Sequence, residues 1–99
     1  MYKLFFFLHK SDDEGLQQHF KDITIKHLSK ITGKEVKIAK VENNLLQDEK
    51  FSHFCEISAD SQYEMDKMMN TKAGKELNKD LMEFHSDITV IPINYGKDN

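Results

Sequence analysis

Tyr2-Lys3-Leu4-Phe5-Phe6-Phe7-Leu8-His9 is the stretch on which the fold turns. As a secretory leader it is too short, because Leu4 to Leu8 is followed by His9, Lys10, Ser11 and three acids, whereas a leader needs roughly 7–15 apolar residues and then a small-residue cleavage site. It is also too short to span a bilayer, which takes about 20 apolar residues. What remains is a strand over residues 2–9 with apolar side chains on both faces, in a chain expected to be cytoplasmic and free of the membrane.

Outward from that strand, Asp12, Asp13 and Glu14 gather where acids favour a helix start, beside the positive end of its dipole. Leu16, Phe20, Ile23, His27 and Ile31 then recur at helical spacing and predict an apolar stripe, with Gly33 placed to close the helix. Val36, Ile38 and Lys40 alternate with their neighbours and predict a second strand. Asn43, Asn44, Gln47 and Asp48 mark a turn region, and Phe51 to Ser58 a third strand. Ser61 with Glu64 three residues on has the form of a capping box. The helix it opens carries Met65, Met68, Met69, Leu77, Leu81 and Phe84, and Thr71 with Gly74 predicts a kink or two consecutive helices. Asp87 to Tyr95 reads as the fourth strand, and Pro92, which lacks a backbone donor, puts it at a sheet edge or a bulge. The residues after Tyr95 are expected to fray.

The order is βαββαβ, an α+β, ferredoxin-like antiparallel sheet with two helices on one face, in one domain over residues 1–99. A sheet with one wet face alternates apolar and polar residues. Here Leu4, Phe6 and Leu8 oppose Phe5 and Phe7, and Val90 opposes Ile91 and Ile93, so both faces are apolar. Helices cover one face, and a second copy covering the other is the economical expectation: a homodimer.

The 99 residues include 14 lysines, no arginine, 17 acids, five histidines and one cysteine, with a formal net charge of -3. That balance argues against a partner held through phosphates, which demands clustered positive charge and usually arginine. A lone Cys55 makes no internal disulfide. No pair of histidines has the spacing of a zinc protease helix and no Cys-x-x-Cys is present, so neither metal nor cofactor is expected.

From Asn70 to Asp87 the second helix shows a small-residue break at Thr71, then Gly74, then Asp80-Leu81, then Phe84 and Asp87. This succession resembles the corresponding helix of the EthD-like family, as does an acidic first helix that carries His27-Leu28 near its end. The similarity spans nearly the whole chain. It implies a dimeric α+β barrel, in which two ferredoxin-like sheets face each other, and a pocket between helices and sheet in each subunit. The wider barrel superfamily includes cofactor-free monooxygenases, haem-degrading enzymes, lactone isomerases, polyketide cyclases and proteins without known chemistry. The fold therefore does not settle the reaction. The absence of Trp speaks against haem degradation.

His27 is the leading catalytic candidate. On the stripe its ring would face the sheet, as general base or donor to a ligand, or as a core residue satisfied by a carbonyl. His53 could meet it across a pocket if its strand face is the helix side. Phe20, Phe84 and Met69 complete the expected ligand-binding set, the methionine as adaptable lining or simple core filler. His9 and His85, at element ends, are expected to be exposed, and His19 solvated. The expected partner is a small, largely apolar organic molecule, and not nucleic acid. The chain is then either a cofactor-free isomerase, cyclase or oxygenase, or a non-catalytic accessory or sensing protein. RNA-recognition domains share the βαββαβ order, and Lys50 to Ile57 faintly echoes their third strand. Phe51 and His53 replace the glycines of that pattern.

Overall fold

The computed structural model describes residues 1–42 and 50–96. β1 (Tyr2–His9) leads into α1 (Glu14–His19), a π-helical turn (Phe20–Thr24) and α2 (Ile25–Thr32), which run on as one helix. β2 (Ala39–Lys40), β3 (Phe51–Ala59), α3 (Gln62–Met69), α4 (Lys72–Glu83) and β4 (Ile88–Asn94) follow. The strands form one antiparallel sheet in the order β2-β3-β1-β4, the expected ferredoxin-like α+β architecture.

Local chemistry sets the element ends. The Asp13 carboxylate accepts from the backbone N–H groups of Gly15 and Leu16 and starts α1. Gly33, at φ 68°, closes α2 in the left-handed conformation that suits glycine. Ser61 caps α3 through the Glu64 N–H, and Thr71 caps α4 through the Gly74 N–H, so the second helix is two helices. At that joint Gly74 is required by space: a Cβ there would lie 2.2 Å from the Met69 carbonyl oxygen. Pro92 falls on β4, an edge strand, as its missing donor demands.

Register gives the sheet its two faces. Leu8 lies opposite His53 and Ile88, Phe6 opposite Cys55 and Val90, and Leu4 opposite Ile57 and Pro92. On this side Phe6, Leu8, Cys55, Ile57 and Ile88 are buried against Leu16, Phe20, Leu28, Met65 and Leu77 of the helices.

The first helix corrects the expected stripe. Its buried positions are Leu16, Phe20, Thr24 and Leu28, while Ile23 is 41% exposed and His27 and Ile31 are half-buried. The π turn is the cause. The Ile25 N–H reaches back five residues to the Phe20 carbonyl, and this wider turn keeps residues four apart in line. The inward face therefore passes from Phe20 to Thr24 and Leu28, one residue beyond Ile23 and His27.

The second strand is shorter than expected, covering Ala39–Lys40 alone. Val36 is buried and its N–H is held by the Ser29 hydroxyl at 3.3 Å, which draws that segment towards α2 and away from the ladder. The turn expected at Asn43, Asn44, Gln47 and Asp48, and Lys97 to Asn99 of the expected frayed end, lie outside the described residues. Among the described residues no helix is long and apolar enough to cross a membrane.

Candidate functional site

The π turn brings two polar side chains of the first helix onto α4. The Thr24 hydroxyl donates to Asp80 Oδ2 at 2.7 Å, and His19 Nε2 donates to Asp80 Oδ1 at 2.5 Å. Asp80 is 7% exposed, so its charge depends on these donors, since an unpaired buried carboxylate is costly. The Phe84 ring lies 4.3 Å from the His19 ring, centre to centre. Together they hold the imidazole in one orientation and, because a carboxylate only accepts, with its hydrogen on Nε2. His19, expected in solvent, is instead half-buried at the seam between the two helices.

His27 stands about two turns beyond His19 along the same helix. Its Nδ1 is the one buried side-chain nitrogen or oxygen without a hydrogen-bond partner among the described residues. Buried polar atoms are overwhelmingly paired, so this nitrogen stands out. His53 lies on the helix side of the sheet, with Nδ1 3.0 Å from the Ser52 hydroxyl. Burial first, then the charges of Lys21 and Lys40, hold its imidazole below the ordinary 6.5, so it is neutral at pH 7.

The remaining members of the expected set are scattered. Phe20 is fully buried in the core, Met69 is half-buried at the end of α3, and Phe84 covers His19. Among the described residues no hydrogen bond or ring contact joins His27, His53, Phe20, Phe84 and Met69 to one another. A groove of about 800 Å³ runs along the outer edge of β3, with Lys34, Val36, Ile38, Phe54, Glu56 and Met68 in its walls and none of the five. Cys55 is buried, and burial pushes its thiol up to about 12, leaving it unreactive at neutral pH. No group of three or more His, Cys, Asp or Glu side chains suited to a metal ion occurs among the described residues.

The face of the sheet away from the helices carries a row of rings. Phe5 and Phe54 have centroids 5.7 Å apart, Phe7 and Phe54 5.0 Å, and Phe7 and Phe51 4.8 Å. Ile91 and Ile93 extend the row on β4 and are exposed. His9, expected to be exposed, is half-buried at the end of this row, with Nε2 2.7 Å from the Thr89 hydroxyl.

Sequence reasoning missed His19, Thr24 and Asp80. Asp80 and His19 are 61 residues apart, and no local spacing couples them. The available signal was Asp80 itself, an acid on the inward side of a helix between Leu77 and Leu81.

No family model matches the chain, and no curated protein sequence is similar to it. Solved structures are similar in fold. An ethyl tert-butyl ether D (EthD) family protein from Bacillus halodurans C-125 has a TM-score of 0.81 at 23% identity, over 97% of this chain and 99% of that one. A hydroxynitrile lyase from Passiflora edulis has a TM-score of 0.67 at 18% identity, over 97% and 93%. A dimeric ferredoxin-like protein of unknown function from Thermobifida fusca has a TM-score of 0.53 at 9% identity, over 95% and 90%. The chain thus has the fold of an EthD family protein, and the EthD-like resemblance read in the sequence holds at the level of fold.

Proposed function

We propose that this chain is an EthD-like protein that pairs into a dimeric α+β barrel and binds a small, largely apolar organic molecule, with His27 as the polar group that meets it. The observation that carries the reading is the Nδ1 of His27, the one buried side-chain nitrogen or oxygen left unpartnered among the described residues. A ligand that donates to or accepts from this atom removes the cost of leaving it unpaired, which is about 1–3 kcal/mol for a buried polar group. His53, Phe84 and Met69 are half-buried on the helix side of the sheet and remain the proposed ligand-binding set. Phe20, the last of that set, is fully buried in the core.

Pairing is supported by the open face. Phe5, Phe7, Phe51, Phe54, Ile91 and Ile93 present an apolar surface that a second sheet of the same chain would cover. A fold neighbour is itself described as dimeric. Turnover, where it occurs, is an isomerisation, cyclisation or oxygenation without a cofactor, and His27 acts as base. Without turnover the same binding serves an accessory or sensing protein.

Native mass spectrometry of the protein as purified from cells tests both parts. The expected species is twice the 11.6 kDa of one chain, with added mass from a co-purified ligand. His27→Phe keeps a ring of similar size without the nitrogen, and its expected result is a folded dimer that has lost the ligand. A folded variant that retains the ligand removes His27 from the site. A monomer that gains mass only with short RNA overturns the barrel reading and makes the ring row a base-stacking surface.

A further inference from the structure

We infer that the flank between α4 and β4 is a second binding site, made for a small neutral phenol. α4 presents Asn78, Leu81 and Met82, with His85 just past its end, at the three- and four-residue spacings that put side chains on one helical stripe. Ile88 and Val90, on the helix side of β4, face them, and the six residues enclose a cavity of about 340 Å³. That volume lies near the lower end of small-molecule sites, which run from roughly 300 to 1,000 Å³, and suits a single ring. Asp80, which faces the first helix, lies well round α4 from this stripe and is not among the lining residues, so this cavity is separate from the helix seam and stands independently of the role given to His27.

The walls state the chemistry of the occupant. None of the six lining residues is a Lys, Asp or Glu, so nothing there offsets a ligand charge. Met82 is 70% exposed and Val90 38% exposed, which leaves apolar surface at the cavity that burial of a ring would remove from water. A thioether beside an aromatic ring adds a favourable contact. The polar groups are two. His85 Nδ1 lies 3.0 Å from the Met82 carbonyl oxygen, and a carbonyl only accepts, so Nδ1 carries the hydrogen. In the neutral ring Nε2 is then an acceptor. Asn78 offers an amide with N–H donors. A hydroxyl on an apolar ring matches this pair: it donates to His85 Nε2 and accepts from the Asn78 amide.

The test is a backbone amide NMR titration of the full chain with p-cresol, and with toluene as the same ring without the hydroxyl. The expected result is movement of the Asn78, Met82, His85 and Val90 signals by p-cresol, at least tenfold weaker binding of toluene, and no movement of the His27 signal. His85→Phe should reduce p-cresol to the affinity of toluene. Val90→Arg, at an exposed strand position, should abolish binding of both while leaving His85 in place. The inference is overturned when toluene binds as well as p-cresol, when neither moves the four signals at millimolar concentration, or when p-cresol shifts gather at His27. The last result leaves the proposed function standing while removing this site, so the two fail separately.

Discussion

The two faces of the sheet are built from the same three long strands and nearly the same residue types, yet they meet different fates. On the helix side Phe6 is wholly buried, while on the open side Ile91 is 40% exposed and Phe5 and Phe7, packed on neighbouring rings, are only half-buried. Hydrophobicity alone does not decide burial. What decides it is the cover, and the helices supply one for a single face. The open face shows what the inner face would be without α1 to α4, an apolar surface that only another molecule can remove from water.

The comparison is broken most forcefully at Phe6. Phe6→Ala should cost about 3–5 kcal/mol, the range for a large aromatic cut out of a close-packed core, read as the fall in unfolding free energy in urea. Phe7→Ala as its outward twin should cost clearly less in the isolated chain, and equal costs would show that the open face is already covered within one subunit. The seam of the cover comes next. Asp80→Ala removes the acceptor of both His19 and Thr24 and should cost about 2–3 kcal/mol, in line with stranding buried donors. Thr24→Val, which keeps the shape and deletes one donor, should cost about 1 kcal/mol.

Phe7→Glu addresses the open face through its partner. It should convert a dimer to a monomer in analytical ultracentrifugation while lowering the thermal midpoint of the chain only modestly. A dimer that persists at the same affinity would move the interface elsewhere. The smallest effect belongs to His53, at the rim where cover gives way to water. Its folded-state pKa is below 6.5, by burial and then by Lys21 and Lys40, so the unfolded chain takes up the proton first as pH falls. Its contribution is therefore whole above pH 6.5 and is lost as pH falls through the folded value. His53→Gln should flatten the decline of the thermal midpoint below pH 6.5 by a few degrees at most, and an unchanged slope would remove His53 as a source of it.

Much of this architecture is legible in the chain itself. β1, β3 and β4 announce themselves as aromatic and β-branched runs, Pro92 marks its own edge, and Ser61, Thr71 and Gly33 declare the helix ends through local hydrogen bonds or backbone conformation. Period-counting fails at Phe20 to Thr24, because it assumes one helical pitch and the pitch changes there. That one change moves Ile23 outward and Thr24 inward, and it makes His19 a partner of Asp80 instead of water. The candidate site was legible only in part for the same reason. His27 was visible as a histidine near an apolar stripe, whereas the Asp80 pair rests on a contact between distant segments. Which face of β3 His53 occupies required the register with β1.

A π turn is what a helix makes of one residue too many when both of its ends are already anchored. Asp13 pins the start of the first helix and Gly33 its end, so the surplus is absorbed between Phe20 and Thr24. Length is therefore a coupled variable in this helix. Deleting a single residue within the turn would wind it back to an ordinary α-helix, while the anchored segments on either side keep their directions. A comparison of this chain with its fold neighbours is thus best made with a gap allowed at that turn, where separation in sequence and direction in space part company.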